Sequence, residues 1–260
     1  MKKLINAILS PLGAVLVSKK TMQYLEKKSN QPDVRPSKGT KNQLIGNAFL
    51  VLKKAGFNPT HILDIGANHG LWSREVLTYF PNANYTLIEP QERLKSSFAD
   101  LLERPQFAYL PIGIGQQKGH FNLTITERDD SCNFRLTEDE ARQRGLNQIQ
   151  VEVDTIDHVV EMSKFGIPQL IKIDAEGIDL QVLKGATSVL GRTEVVLIEA
   201  AVLNPMFENT ILSVMNAMDQ YGYKLFDITD LNRPFDNKAL WLVELMFVLK
   251  DGALDKKKWN

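Results

Sequence analysis

The chain has 260 residues, 43% of them apolar and 24% charged, with 31 Lys+Arg against 31 Asp+Glu. That length and apolar content suit one large domain or two small ones, and exclude a disordered, collagen-like or disulfide-stapled chain. A formal charge of zero argues against general nucleic-acid binding. The lone Cys132 allows neither an internal disulfide nor a multi-thiolate zinc site, so a reducing, cytoplasmic setting is expected.

In chain order, the first apolar stretch is residues 4–17, interrupted by Asn6, Ser10 and Pro11 and too short to span a bilayer. Lys2 and Lys3 precede it, as in a signal peptide, but Ser18-Lys19-Lys20 follows in place of a small-residue cleavage site. Leu4, Ile5, Ile8, Leu9, Leu12, Val15 and Leu16 recur at helical spacing. A helix packed on its own domain is the preferred reading, with a peripheral membrane contact through residues 1–28 as the alternative. Residues 29–42 are polar, with two prolines, and read as a linker. The division is therefore an N-terminal helical arm with linker, 1–42, and a main domain, 43–260.

Residues 43–55 have helical periodicity and stop at Gly56. Short, nearly continuous apolar runs then alternate with helical stretches. The runs predict strands at 61–65, 85–89, 107–112, 170–174 and 195–199, and the periodicity predicts helices at 71–80, 91–102, 178–190 and 210–221. This alternation implies an α/β fold with a doubly wound, mostly parallel sheet whose strands are buried on both faces. Residues 119–157 interrupt it with alternating runs at 120–126 and 148–155, read as an inserted β-hairpin. A strand at 224–227 followed by the run 240–249 predicts a final hairpin with an antiparallel last strand.

The most informative stretch is Ile62-Leu63-Asp64-Ile65-Gly66-Ala67-Asn68-His69-Gly70-Leu71, a buried strand, a glycine-rich turn and a helix start. Ligands of open α/β sheets bind beyond the carboxyl ends of the strands, where this turn lies. Glu89 ends the next strand, 25 residues after Asp64, where a carboxylate can receive both hydroxyls of a ribose. Asn68 stands where a dinucleotide fingerprint needs its second glycine, which weighs against NAD and an oxidoreductase. Asp64 would repel a phosphate and attract an ammonium group. S-adenosylmethionine offers an ammonium, a sulfonium and a ribose diol without a phosphate, and Asp64 and Glu89 suit it.

With Leu87-Ile88-Glu89-Pro90, Val153-Asp154-Thr155-Ile156-Asp157 and Leu170-Ile171-Lys172-Ile173-Asp174-Ala175-Glu176-Gly177, and then Leu183-Lys184-Gly185-Ala186, the chain resembles the FkbM-type methyltransferases of the class I S-adenosylmethionine-dependent fold. The resemblance covers roughly residues 60–200. It implies a seven-stranded sheet with an antiparallel seventh strand, and methyl transfer to a hydroxyl, often of a sugar or secondary metabolite. It further implies that Gly66, Asn68 and Gly70 line the methionine part of the cofactor, that Glu89 holds the ribose, and that Ile112-Gly113-Ile114 borders the adenine.

Methyl transfer from a sulfonium needs an aligned acceptor and a base for its proton. Lys172 and Asp174 point to one face of their strand, Glu176 is expected to open the next helix, and Glu199 closes the following strand. These carboxylates are expected to converge at one rim. A hard cation such as Mg²⁺ is one reading of the cluster. The favoured reading is metal-free, with Asp174 or Glu176 at the acceptor and Lys172 ion-paired. His69, within the cofactor loop, is a further ligand contact; His120, His158 and Cys132 read as surface, capping and packing residues. Base methylation is set aside, because Asp174-Ala175-Glu176-Gly177 has no proline-aromatic loop and Asn204-Pro205-Met206-Phe207 follows a different strand. The expected function is O-methyl transfer to a glycan or small-molecule hydroxyl. The alternatives are a non-sugar metabolite as acceptor, or a non-catalytic cofactor-binding protein within an assembly.

Overall fold

A computed structural model describes residues 43–257. The expectations for residues 1–42 lie outside the described residues.

The first described element is helix α1 (Gln43–Lys54), which ends one turn before Gly56. Strand β1 (His61–Ile65), helix α2 (Leu71–Tyr79) and strand β2 (Asn84–Ile88) follow, then a 3-10 helix (Glu92–Phe98) continued by α3 (Ala99–Leu102) and β3 (Phe107–Leu110). An insertion holds β4 (Gly113–Ile114), β5 (Gly119–Ile125), α4 (Glu138–Gln143) and β6 (Asn147–Asp154). The α/β alternation resumes with α5 (Ile156–Met162), β7 (Leu170–Ile173), α6 (Asp179–Lys184), β8 (Val195–Ala201) and α7 (Ile211–Gln220), and closes with β9 (Tyr223–Asn232) and β10 (Leu242–Leu249).

The main sheet has seven strands in the order β3-β2-β1-β7-β8-β10-β9. Neighbours from β3 to β8 run parallel, and β10 lies antiparallel between β8 and β9. Successive strand residues feed opposite cores, which is why the runs are continuously apolar. Ile62, Leu87, Leu170 and Leu197 pack with Phe49 and Leu52 of α1 and Val76 of α2. Leu63, Ile88, Ile171 and Ile198 pack with Val160 of α5, Val182 of α6 and Val214 of α7.

Several predicted elements differ from those found, among them the strand at 224–227, which extends over Tyr223–Asn232. The strand predicted at 107–112 breaks at Pro111, which has no N–H for the ladder, and β4 instead pairs parallel with β6. The expected hairpin of β5 and β6 is thereby a three-stranded sheet, β4-β6-β5. The helix predicted at 91–102 is mostly 3-10, and the Ser97 carbonyl inside it accepts from Arg74 Nη2 at 2.7 Å. The helix predicted at 178–190 stops at Lys184. There Gly185 passes so near the Gly115 carbonyl that a Cβ would sit 2.2 Å from its oxygen. Beyond it the Asp157 carboxylate accepts from Ser188 N, Val189 N and Thr187 Oγ1, holding a turn in place of further helix.

Candidate functional site

The parallel strands β1, β2 and β7 end side by side, and the turn after β1 bends over their carboxyl ends. Gly66 takes φ 72° and lies so close to β7 that a Cβ would stand 2.0 Å from the Asp174 carbonyl oxygen. Only glycine fits there. The N–H groups of Gly66 and Ala67 both donate to the Ile88 carbonyl at 3.0 Å, tying the turn to β2. Asn68 adopts φ 45°, and its N–H donates to Glu89 Oε2 at 2.9 Å; the other Glu89 oxygen accepts from Gln91 N at 2.9 Å. Glu89 is 3% exposed, and burial raises its pKa against the pull of those two amide bonds. Gly70, at φ 70°, is the residue before α2 and packs against Phe98 and Leu101.

The cavity under this turn is lined by Gly66, Asn68 and Glu89, by Ile112, Gly113 and Ile114, and by Asp174 and Glu176. A Cβ on Gly113 would meet the Phe134 ring at 2.8 Å, so glycine opens this wall as well. The insertion adds Asp129, Asp130, Cys132 and Phe134. The Cys132 thiol is buried in that small core and accepts from Thr126 N at 3.4 Å. Among the described residues, five carboxylates (Glu89, Asp129, Asp130, Asp174 and Glu176) line the cavity, and no Lys, Arg or His does.

Asp64 and Lys172 lie beneath the cavity instead. Asp64 is fully buried, accepts from Ser73 Oγ at 2.6 Å, and has Lys172 Nζ at 3.6 Å. The ammonium it faces is thus the protein's own, which corrects the expectation that it attracts one from a ligand. Lys172 Nζ also donates to the Gly66 carbonyl and to Asp174 Oδ2, each at 3.0 Å. Burial works against its charge, but Asp174, Asp64 and Glu244 outweigh burial and push its pKa up. One ammonium therefore ties β7 to the cofactor turn and orients Asp174.

Glu176 does not open a helix, as the sequence suggested. It sits at φ 52° in the loop before α6, and Asp179 takes the helix-start role. The Asp179 carboxylate accepts from Ala175 N at 2.9 Å, Gly177 N at 3.1 Å and Asn209 Nδ2 at 2.8 Å, and so shapes the loop that presents Glu176. Burial, followed by repulsion from Asp174, Asp179 and Asp130, pushes Glu176 up to about 9. Burial, with repulsion from Asp174, raises Asp179 to about 7 against the pull of its amide bonds, and burial with repulsion from Asp174, Asp179 and Glu176 lifts Glu199 well above the carboxylate range. Glu244 lies directly across the sheet from Glu199 and is pushed up to about 7 by burial. The predicted convergence of Asp174, Glu176 and Glu199 is present, and is larger than expected. Asp179 and Glu244 were missed, although a lone carboxylate in the run Leu242-Val243-Glu244-Leu245-Met246 signals a buried charge. Among the described residues, no three His, Cys, Asp or Glu side chains are grouped to hold a metal ion.

His69 is placed differently from expectation. Its ring nitrogens contact Ser97 Oγ at 2.8 Å and Asp129 Oδ2 at 3.2 Å, so it straps the turn to the insertion and does not line the cavity. His158 Nδ1 pairs with Asp154 at 2.7 Å next to the Thr155 cap, and His120 is exposed.

This sheet order, with an antiparallel strand between two others at one edge and a glycine turn after β1, defines the class I methyltransferase fold. The FkbM methyltransferase of Methylobacillus flagellatus shares it with TM-score 0.51 and 17% identity, over 72% of this chain and 43% of that one. Two further similar structures have lower TM-scores. A 1,6-didemethyltoxoflavin-N1-methyltransferase of Burkholderia thailandensis, with S-adenosylhomocysteine bound, gives 0.45 at 12% identity over 92% and 93% of the two chains. The N-methyltransferase NodS of Bradyrhizobium japonicum, also with S-adenosylhomocysteine, gives 0.46 at 8% identity over 88% and 98%. No curated protein sequence matches. Residues 64–225 match the Methyltransferase FkbM domain, and the chain belongs to that family.

Proposed function

We propose that the protein is an S-adenosylmethionine-dependent O-methyltransferase acting on a hydroxyl of a carbohydrate, in a glycan or a sugar-containing metabolite. The observation that carries the cofactor assignment is the acidity of the cavity lining: Glu89, Asp129, Asp130 and Asp174 stand beside a protonated Glu176, with no basic side chain among the described lining residues. Such a wall repels phosphates, and so dinucleotides, and favours a ligand with an ammonium and a sulfonium. Glycines at 66 and 113 open the space where a Cβ would collide, and Glu89 keeps lone pairs free for a ribose diol beyond its two amide bonds.

The bound cofactor supplies a methyl group on a positively charged sulfur, a leaving group already activated. The protein's part is to align the acceptor and manage its proton. Asp174 is half-exposed at the cavity, fixed by Lys172, and receives the proton of the acceptor hydroxyl. Glu176, protonated near neutral pH, donates a hydrogen bond that orients the acceptor. Calorimetric titration with S-adenosylhomocysteine tests the cofactor half, and failure to bind sinks it. The chemistry is tested by a mass gain of about 14 Da on candidate glycans and metabolites, the CH₂ of a methyl replacing hydrogen. Asp174→Asn is expected to bind cofactor as the wild type does and to lower turnover by about 10²–10⁴-fold. Full turnover in that variant removes Asp174 as the base.

A further inference from the structure

A second cavity, of about 680 Å³, opens beside the first. Phe134 lines both, and the loop that gives Asp174 and Glu176 to the first gives Gly177 and Ile178 to the second. Its charge is reversed. Arg135 and Arg144 line it, with Glu208 the only carboxylate among the described lining residues. Neither guanidinium has an ion-pair partner among the described residues. Arg135 is held in place without being neutralised: Nη1 donates to the Met206 carbonyl at 3.0 Å, and the guanidinium lies 4.8 Å from the centroid of the Phe207 ring. Its Nε is buried and has no hydrogen-bond partner. Burial lowers the Arg135 pKa; the Glu176 carboxylate opposes that effect, and the nearby Arg144 charge adds to it.

The anchored Arg135 guanidinium and the exposed one of Arg144, neither in an ion pair among the described residues, line one cavity and make a site for an oxyanion, since the planar fork matches a carboxylate or a phosphate and charge-assisted bonds are the strong ones. Gln117 and Gln181 add amide groups suited to hydroxyls, and Phe121 adds an apolar ring. We propose that this cavity holds the methyl acceptor, and that the acceptor carries an anionic group, a carboxylate or a phosphate, bound by Arg135 and Arg144 while its reacting hydroxyl reaches the Asp174–Glu176 side. This rests on the methyltransferase reading above and narrows the acceptor to anionic sugars. The two cavities divide the labour by sign: the acidic one takes the cationic cofactor, and the basic one excludes it.

The test uses the full-length protein saturated with S-adenosylhomocysteine, titrated by calorimetry with methyl β-glucuronide, glucose 1-phosphate and neutral methyl β-glucoside. The uronide or the phosphate is expected to bind about tenfold or more tightly than the neutral glycoside, with the preference weakening as salt rises. The preferred arm tells carboxylate from phosphate. Arg144→Gln, at an exposed position, and Arg135→Gln are expected to abolish the preference, Arg135→Lys to restore part of it, and the exposed Arg192→Gln to leave it unchanged. Equal binding of charged and neutral probes, binding of none, or a preference that survives both Gln variants overturns the proposal. Loss of S-adenosylhomocysteine binding in the wild type would instead fail the cofactor reading, so the two failures are distinct.

Discussion

Lys172 and Glu176 stand four residues apart, and one acidic neighbourhood pushes both pKa values up, which keeps the first charged and the second neutral. The carboxylates around Lys172 hold its charge in a buried place, whereas they join burial in keeping Glu176 protonated up to about 9. Between the usual carboxylate pKa and that value, the unfolded chain ionises Glu176 while the folded protein keeps the proton. Raising pH through that window therefore destabilises the fold. Glu176→Gln should melt higher than the wild type above about pH 7, and the two should converge below about pH 4, where both states are protonated. A constant difference in Tm across pH would refute the assignment. The same residue couples cofactor charge to pH. A sulfonium beside Glu176 favours its ionised form, so S-adenosylmethionine should gain affinity relative to neutral S-adenosylhomocysteine between about pH 6 and pH 9. The ratio of the two dissociation constants measures this, and it should be flat in Glu176→Gln. The motif Lys172-Ile173-Asp174-Ala175-Glu176 was readable as a charged cluster at the carboxyl end of β7. Which carboxylate keeps its proton was not, because the burial of Glu176 and the approach of Asp130 arise only through folding.

At the scale of elements, hydrophobic period located β1, β2, β7 and β8 within a residue or two, since each is buried on both faces and its composition leaves little choice, whereas the partly exposed edge strand β9 runs five residues beyond its predicted end at 227. Errors fell where a distant partner overrides local preference. Helix α6 has apolar spacing to carry it past Lys184, yet it ends where Gly185 meets the Gly115 carbonyl and Asp157 captures the amides of the next turn. Asp157→Ala should lower stability by about 1–2 kcal/mol, as loss of a helix cap does, while leaving S-adenosylhomocysteine affinity unchanged. Urea unfolding with calorimetry on the same variant checks both halves, and weakened cofactor binding would mean that the turn also supports the site. The short β4 was invisible for a related reason. Two residues after a proline carry no periodic signal, and only pairing with β6 makes them a strand.

Over the whole molecule, the zero net charge is a sum of unlike parts. Residues 1–41 carry nine Lys+Arg against two acids, and the other 219 residues carry 22 against 29. No helix among the described residues is long and apolar enough to cross a membrane. A basic segment that contains the apolar run 4–17 is suited to an anionic lipid surface, and we propose peripheral contact through residues 1–28. Deleting residues 1–30 should abolish sedimentation with liposomes that contain anionic lipid while sparing S-adenosylhomocysteine binding; unchanged sedimentation refutes the contact. The charge of the remainder is itself divided, acidic around the cofactor cavity and basic in the cavity beside it.

By itself, the sequence determined the α/β class, the antiparallel closing strand and the glycine turn that brings Gly66 and Asn68 to the cavity, because these depend on patterns within a dozen residues. The tertiary structure alone decided that Asp64 faces Lys172 instead of a ligand, that His69 is a strap, that Asp179 shapes the catalytic loop and that two cavities of opposite sign lie side by side. Burial and partners from segments far apart in the chain set these outcomes, and even Asp179, which accepts from amides two and four residues away, is fixed in place by the distant Asn209.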